Sequence, residues 1–376
     1  MSGGRDLSTS KRIVVKIGSA LLVHDDGRLR AQWLDALAQD IAALRESGAE
    51  VMIVSSGAIA VGRRLLRLAR GPRNRALRLE ESQAAAATGQ VRLAHAWRAT
   101  LRRYRVPVAQ ILLTIDDTED RRRHLNARNT IETLLQLDVV PVINENDTVA
   151  TGEIRFGDND RLAARVAQMM GADTCVILSD IDGLYTADPT RNAAAKHIPE
   201  VAAITSEITA MAGKTAGEDG SGGMITKIEA ARVALQSGCR LVIADGRGTH
   251  PLAALADGAR ATWFVSDGGP HSARKRWIGG ALKAEGTITI DAGAARALAR
   301  GNSLLPAGVT AVDGAFKRGD PVIVCDDAGK ELARGLVAYG REDAQRILGR
   351  QSGEIENILG YRGREEMIHR DDLVES

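Results

Sequence analysis

The sequence is short of aromatic residues, and its acidic and basic residues nearly cancel. Phe, Trp and Tyr make up 3% of the 376 residues, which leaves few flat side chains on which nucleic-acid bases or sugars could stack. The 50 Lys and Arg residues against 48 Asp and Glu residues give a net charge of +2, so no overall field favours nucleic acid or a membrane. With 44% hydrophobic residues, the composition is that of a soluble globular protein, and the length favours two domains.

Cysteines and long apolar runs are also scarce. Cys175, Cys239 and Cys325 lie far apart without a CxxC pair, which argues against a disulfide framework and favours small buried hydrophobes in a reducing compartment. Residues 1–10 are polar and lack the apolar centre of a signal peptide. No uncharged apolar run is long enough to span a bilayer. We therefore expect a cytoplasmic protein with no membrane partner.

Short apolar runs alternate with helical patterns from about residue 12 to residue 265. Continuous apolar strands separated by helices predict an α/β fold, with an open, mainly parallel sheet sandwiched by helices. In such sheets ligands bind at the carboxyl ends of the strands. The predicted strands cover residues 13–15, 51–54, 106–113, 139–143, 175–178 and 241–243.

The pattern changes near residues 267–286, where turn residues and the basic run Arg274-Lys275-Arg276 indicate an exposed linker. Short β-like pieces at 287–290, 322–324 and 336–338 then predict a small β-rich second domain. We predict a polar tail over residues 1–10, a main domain over 11–268, a linker over 269–283, the second domain over 284–362 and a tail over 363–376.

Polar residues and glycines gather where the predicted strands end. Taken singly, each has an ordinary explanation, such as a strand-end lysine, a serine helix cap or a solvated turn. Their recurrence at successive strand ends predicts one shared site instead. The candidates are Lys16, Gly18, Ser56, Asn144, Asp147, Asp158, Asn159, Asp160, Ser179 and Asp180.

A glycine pair precedes a further predicted helix, four positions before a lysine. Such a loop can present backbone N–H groups and an ammonium group to phosphates. The segment does not match GxxxxGK[ST], so it is not a P-loop. Its residues are Ser221, Gly222, Gly223, Met224, Ile225, Thr226 and Lys227.

In this order the motifs resemble the amino-acid kinase family, and among its members those that act on glutamate. The tail segments Ser303-Leu-Leu-Pro-Ala-Gly and Phe316-Lys-Arg-Gly-Asp resemble a PUA domain. Ala20, Ser179 and Ile225 depart from the usual family residues, while both lysines and the paired aspartates remain. The segments that carry the resemblance are Val-Val-Lys16-Ile-Gly-Ser, Val-Ser-Ser56-Gly-Ala-Ile, Val-Ile-Asn144-Glu-Asn-Asp147, Phe-Gly-Asp158-Asn-Asp160, Gly-Leu-Tyr-Thr-Ala-Asp-Pro and Gly-Gly-Met-x-Thr-Lys227.

The resemblance implies transfer of the γ-phosphoryl group of ATP, with Mg²⁺ carried by the nucleotide, to the γ-carboxylate of L-glutamate. This reaction gives glutamyl 5-phosphate on the route to proline, and the resemblance also implies inhibition by proline and assembly into homodimers or homotetramers. A side-chain carboxylate, with a pKa of about 4.3, is already ionised at neutral pH. No general base is needed, so catalysis must consist of positioning and charge neutralisation.

The resemblance also implies a role for each candidate residue. Asp158 is expected to hold the two lysines in place, with Asp160 as a further partner. Asp147 is expected to face the α-ammonium group of the amino acid. The implied sets are Lys16, Asp158, Asp160 and Lys227 for catalysis, Ser56, Asn144, Asp147 and Asn159 for glutamate, and Lys16, Gly18, Ser179, Asp180 and residues 221–227 for ATP.

Two alternatives stay open. A family member acting on N-acetylglutamate, aspartate, carbamate or a nucleoside monophosphate would share the phosphate site, although Asp147 favours a free α-amino group. An RNA-binding protein would fit a PUA domain, but the 12 basic against 16 acidic residues in 284–376 argue against nucleic acid. The stretch containing Arg63, Arg64, Arg67, Arg70, Arg73, Arg75 and Arg78 is interpreted as a solvated helix and loop, which the resemblance places near the substrate.

Overall fold

The computed structural model describes residues 5–68, 77–149, 158–212, 223–265, 269 and 284–375. The chain divides into two compact units, Met1–Asp120 with Asn126–Pro270 and Arg121–Leu125 with His271–Ser376. Within the described ranges, no helix is both long and apolar enough to cross a membrane. All three cysteines are free and buried, as predicted, and burial raises the pKa of Cys175 to about 12.

An eight-stranded sheet organises the first unit, in the order β3-β4-β2-β1-β5-β9-β10-β8. Neighbouring strands are parallel except for β9 and β10, which confirms the predicted mainly parallel sheet. The strands β6 and β7 pair with each other as a hairpin. In chain order the strands are β1 (Arg12–Ile17), β2 (Glu50–Ser55), β3 (Val108–Leu113), β4 (Val140–Glu145), β5 (Thr174–Ser179), β6 (Leu184–Tyr185), β7 (His197–Ile198), β8 (Glu200–Val201), β9 (Arg240–Asp245) and β10 (Ala261–Phe264).

Helices cover both faces of this sheet. Successive strand residues point to opposite faces, so Ile13 and Val15 pack in one core with α2 and α4, while Val14 packs in the other with α7 and α9. Apolar residues spaced three and four apart place one side of α2 on the first core. The helices between residues 19 and 256 are α1 (Ser19–Leu22), α2 (Ala31–Glu46), α3 (Ala58–Leu65), α4 (Leu79–Leu101), α5 (Ile115–Glu119), α6 (Arg121–Gln136), α7 (Asp158–Met170), α8 (Ser206–Met211), α9 (Met224–Gln236) and α10 (Pro251–Ala256).

The helices α3 and α4 touch through their backbones. A Cβ atom added to Gly62 would lie 1.7 Å from the carbonyl oxygen of Ala85, and one added to Gly89 would lie 1.8 Å from that of Ala58. Only glycine fits at these two crossing points. This contact fixes α4 against the beginning of α3, which directly follows the Ser56 loop.

The strand β1 lies at the centre of the sheet, where the chain changes direction. Its neighbours are β2, which follows it in sequence, and β5, which is added on the other side. A crevice forms at the carboxyl ends of the strands at such a switch point, and ligands bind there. The loops after β1, β2, β4 and β5 therefore surround one crevice.

The second unit has its own sheet, in the order β12-β11-β13-β14-β15, and its own core, which includes Ile288, Val324 and Ile368. The pair β11 and β13 is parallel, and the other pairs are antiparallel. The strands are β11 (Gly286–Ile290), β12 (Val309–Gly314), β13 (Pro321–Cys325), β14 (Glu331–Leu336) and β15 (Leu373–Glu375), with short helices at Ala292–Leu298, Arg341–Arg346 and Ile355–Leu359.

Two predicted strands extend two residues beyond the strands of the structure. The strand expected over 336–338 covers Glu331–Leu336 instead. Residues 331–335 were missed because they mix half-buried with buried positions and so give no continuous apolar signal. The strand expected from residue 106 begins at Val108, since Pro107 has no N–H group to donate to a neighbouring strand.

Candidate active site

Three charged side chains meet in the crevice, one from the sheet and two from the first turns of helices. The Asp160 carboxylate lies between two lysines, with Oδ1 2.6 Å from the Nζ of Lys16 and Oδ2 3.2 Å from the Nζ of Lys227. Lys16 is on β1, Asp160 on α7 and Lys227 on α9. All three are buried, with Asp160 0% exposed. We call these three residues the lysine cluster.

The electrostatics of the lysine cluster favour a bound anion. Burial opposes ionisation of Asp160, but the charges of Lys16 and Lys227 outweigh it and hold the pKa of that carboxyl below its ordinary value. Burial lowers the pKa of Lys227, and the charge of Lys16 acts in the same direction against the attraction of Asp160. Among the described residues, two ammonium groups thus contact this one carboxylate, and a phosphate bound beside them would add a second negative charge.

The residue between the lysines is Asp160. The sequence analysis favoured Asp158 for this position and gave Asp160 a lesser part. The side chain of Asp158 lies outside the described part of the chain, as do Ser221 and Gly222. The hydroxyl of Thr226 is a further donor to Asp160 Oδ2, at 2.9 Å, so the first turn of α9 contributes two neighbouring groups to the same carboxylate.

On the other side of β1, neutral side chains form what we call the amide network: Gln90, Asn144, Asn159 and Ser56. Asn144 Nδ2 donates to Gln90 Oε1 at 2.8 Å. Asn144 Oδ1 accepts from the backbone N–H of Glu145 at 2.9 Å and from Asn159 Nδ2 at 3.1 Å. The same Asn159 nitrogen donates to Ser56 Oγ at 2.9 Å. The predicted substrate residues Ser56, Asn144 and Asn159 are therefore joined directly.

The amide network offers an acceptor and a donor to a ligand. Asn159 Oδ1 is buried and accepts no hydrogen bond from the described residues. Ser56 Oγ already accepts from Asn159, so its own hydrogen points elsewhere. Asp147 is also buried, in the turn after β4. A ligand carrying both a cationic donor and a carboxylate matches this combination.

The candidate nucleotide residues lie on the β5 side of the crevice. Ser179 ends β5, and its hydroxyl donates to Asp180 at 3.1 Å. The charge of Asp180 acts to raise the pKa of Lys227, against the effect of burial. The helix α9 begins after Gly223, which has no side chain to cap it, and no described residue is seen to bond the first-turn N–H groups of Met224 and Ile225, the kind of groups that bind an anion.

Gly18 follows β1 and closes this side of the crevice. A Cβ atom there would meet the Leu178 carbonyl oxygen at 3.6 Å and the Nζ of Lys16 at 4.0 Å, which are ordinary contacts. The protein itself therefore has room for a larger residue at this position. The added atom would point at the lysine cluster, so glycine leaves space there for something other than protein.

The sheet order sets the order of these groups along the crevice. From β4 through β2 and β1 to β5, the residues met are Asn144, Ser56, Lys16 and Ser179. The amide network thus lies on one side of the lysine cluster, and the nucleotide candidates lie on the other. Two ligands placed in these halves would meet at Lys16 and Lys227, a geometry suited to transfer of a group between them.

The sequence analysis did not find the residues that support the substrate side from α4. Gln90 binds Asn144, and the Trp97 indole donates to Ser55 Oγ at 3.0 Å, beside Ser56. Gln90 occupies the buried, apolar side of α4 together with Leu93 and Trp97. A polar residue within an apolar helical stripe was the available signal.

The comparisons with known proteins agree with this geometry. The sequence model of the amino acid kinase family matches residues 11–245, more than half of the chain. The chain belongs to the amino acid kinase family. The resemblance read from its motifs is thereby confirmed, and a PUA domain model matches residues 286–359.

Relatives within the amino acid kinase family are similar over nearly the whole chain. The glutamate 5-kinase of Paramagnetospirillum magneticum is 61% identical over 369 residues, which cover 98% of each chain. The glutamate 5-kinase of Rhodospirillum rubrum is 60% identical over 362 residues and 96% of each chain. The glutamate 5-kinase of Paracoccus denitrificans is 57% identical over 368 residues and 98% of each chain. These relatives therefore share both domains with this member of the family.

Proposed function

We propose that this chain transfers the γ-phosphoryl group of ATP to the γ-carboxylate of L-glutamate, forming L-glutamyl 5-phosphate in the first step of proline biosynthesis. The observation that carries the proposal is the lysine cluster, which lies between the amide network and the start of α9. The full-length similarity to glutamate 5-kinases supports the same substrate.

The reaction brings a carboxylate up to a polyphosphate, so its main obstacle is repulsion between anions. Lys16 and Lys227 are placed to bind the oxygens of the transferred phosphoryl group, where negative charge spreads in the transition state. Asp160 binds both ammonium groups, and its negative charge offsets the repulsion between them. The acceptor carboxylate then attacks phosphorus while the bond to ADP breaks, and no proton has to be removed first.

Mg²⁺ would be carried by the nucleotide, where it would neutralise phosphate oxygens. Among the described residues, no cluster of three acidic, His or Cys side chains could hold a metal by itself. Asp160, the buried carboxylate nearest the phosphates in this proposal, is already engaged by two lysines. A site in which phosphate oxygens supply most of the ligands fits these residues.

The amide network and Asp147 support a free amino acid as the acceptor. Asn159 Oδ1 would accept from the α-ammonium group, and Ser56 would donate to a carboxylate. Asp147 would add the negative charge that an ammonium group requires. An N-acetylated substrate carries no such cation, so it would gain nothing from the negative charge of Asp147.

The finer assignments are proposals as well. We propose residues 11–268 as the catalytic domain, 269–283 as a linker and 284–362 as a PUA domain with a structural or assembly role. The protein is proposed to act in the cytoplasm as a homodimer or homotetramer and to be inhibited by L-proline. The site assignment extends to Asp158, Ser221 and Gly222, on the strength of the motifs alone.

An acyl-phosphate assay tests the proposal. The protein is incubated with Mg-ATP and L-glutamate, N-acetyl-L-glutamate, L-aspartate or UMP, each with and without L-proline, and hydroxylamine traps any acyl phosphate. We expect hydroxamate with L-glutamate alone and less of it when proline is present. ADP release with another acceptor would overturn the assignment of Asp147 and Asn159, and no turnover from a folded, ATP-binding protein would overturn the proposed reaction.

A further inference from the structure

Gln90 lies outside every motif of the active site, yet its side chain reaches into it. It projects from the middle of α4, is 8% exposed, and accepts a hydrogen bond from Asn144 Nδ2 at 2.8 Å. The backbone contact between Gly89 and Ala58 fixes the neighbouring turn of α4 against α3. Gln90 is therefore presented to Asn144 from a rigid support.

A backbone group determines which way each amide in the network points. The N–H of Glu145 can only donate, so the Asn144 atom that faces it must be the oxygen. The Asn144 nitrogen must then point the other way, and it needs an acceptor, which Gln90 Oε1 supplies. Without that acceptor, the buried nitrogen would be left unsatisfied at a cost of about 1–3 kcal/mol.

The same logic passes from Asn144 to the ligand. Because Asn144 presents its oxygen, Asn159 must present its nitrogen, which bonds both Asn144 and Ser56. The Asn159 oxygen is then the atom left over, and it is buried without a partner among the described residues. The direction of three amides thus decides that the pocket offers an acceptor at this point rather than a donor.

We propose that Gln90 is a positioning residue that holds Asn144 in this orientation by accepting from its buried nitrogen, so that Asn159 offers its oxygen, and Ser56 its hydrogen, to the acceptor amino acid. The inference rests on the proposed function, because it assumes that the amide network binds the acceptor. Gln90 acts through Asn144 and lies on the opposite side of β1 from the nucleotide candidates. It therefore controls the affinity for L-glutamate and leaves the affinity for ATP unchanged.

A purely structural role for Gln90 makes a different prediction. If Gln90 only fills space in α4, replacing it would lower the melting temperature and leave the KM for L-glutamate unchanged. Leu93, one turn further along the same buried side of α4, provides the matched control for such packing effects. The two roles are separated by comparing KM for glutamate, KM for ATP and thermal stability in one set of variants.

The experiment uses the full chain and the hydroxamate assay. Gln90→Met keeps the length of the side chain and removes the acceptor, so we expect the KM for L-glutamate to rise roughly tenfold with the KM for ATP unchanged. Gln90→Glu keeps an acceptor facing Asn144, and its KM for L-glutamate should stay closer to that of the unmodified protein. Leu93→Val should lower the melting temperature without changing either KM.

A double-mutant cycle tests whether Gln90 acts through Asn144. In an Asn144→Ala background, Gln90→Met should cause no further rise in the KM for L-glutamate, because its partner is already absent. An equal rise in both backgrounds, or a larger KM in Gln90→Glu than in Gln90→Met, would overturn the inference.

Failure of this inference can be told apart from failure of the proposed function. If the unmodified protein turns over L-glutamate and Gln90→Met has the same KM for L-glutamate as the unmodified protein, this inference alone fails. If the unmodified protein does not use L-glutamate, the proposed function fails and this inference fails with it.

Discussion

The two sides of the crevice offer a ligand different kinds of interaction. The lysine cluster is made of full charges, in which two ammonium groups surround one carboxylate. The amide network is neutral and consists of hydrogen bonds whose directions depend on one another. Charge acts over several ångströms with little directional preference, whereas a hydrogen bond of a side-chain amide forms only when donor and acceptor are aligned.

This difference matches the two tasks of the proposed reaction. The phosphoryl group changes its charge distribution during transfer, so the groups that bind it must neutralise charge wherever it develops. The α-ammonium and α-carboxylate groups of the acceptor keep their charges throughout and need only to be held in one orientation. Changes on the lysine side should therefore affect turnover most, and changes on the amide side should affect the KM for the acceptor.

The largest effect is expected from Lys227→Met, which keeps the shape of the side chain and removes its charge. Lys227 neutralises charge only where phosphate is transferred, so we expect kcat to fall by about a thousandfold or more with the fold intact. Single-turnover kinetics and circular dichroism would measure the two properties. Lys317→Met, an exposed substitution in the second unit, is the matched control. Near-normal turnover in Lys227→Met would remove this lysine from the mechanism.

The next effect concerns stability. Asp160→Asn leaves two buried ammonium groups without their carboxylate, which should cost roughly 3 kcal/mol of unfolding free energy at pH 7. Because the folded pKa of Asp160 lies below its unfolded value of about 3.9, its contribution is present above that pH and is lost as the pH falls further.

Denaturant unfolding across the acidic range measures this contribution. The difference in unfolding free energy between the unmodified protein and Asp160→Asn should stay constant above about pH 5 and narrow below about pH 4. Asp25→Asn, at an exposed position, should show no such difference at any pH. A gap that widened on acidification would contradict the assignment of Asp160 as the ionised centre of the lysine cluster.

The sequence predicted the two units unequally, and their burial explains why. The strand β5 is buried along its whole length. Such strands produce continuous apolar runs that differ clearly from the sequence patterns of the helices around them. The strand β12 has mostly exposed or half-buried residues and was missed, because its sequence resembles that of a loop. Edge strands of a small sheet lack the second buried face that makes a strand visible in sequence.

The site was predictable where residues follow strands and less so where they lie on helices. Asp158 and Asp160 both belong to the first turn of α7, and no feature of the sequence distinguishes Asp160 as the residue that contacts both lysines. Gln90 was missed because its partner, Asn144, lies 54 residues away, and no local pattern connects the two.

On the amide side, Asn159→Ala should raise the KM for L-glutamate about tenfold and leave the KM for ATP unchanged. The substitution removes a buried acceptor that has no partner among the described residues, and it also removes the donor to Ser56. Steady-state kinetics with each substrate varied in turn would measure both constants. Asn192→Ala, on an exposed turn, should change neither of them. A rise confined to the KM for ATP would mean that Asn159 serves the nucleotide, and would contradict its assignment to the acceptor amino acid.

The smallest effect is expected from Gly18→Ala, which tests the boundary between the two sides. The added methyl group meets the protein only at ordinary contact distances, so the melting temperature should not fall. The methyl group points toward Lys16, however, and should displace a bound phosphate slightly. We therefore expect the KM for ATP to rise a few-fold, which corresponds to a loss of about 1 kcal/mol of binding free energy. Gly353→Ala, where no atom lies within 4 Å of the added Cβ, is the control for an alanine that meets nothing. An unchanged KM for ATP would mean that the phosphates do not approach β1, and that Lys16 acts from the amino-acid side of the crevice.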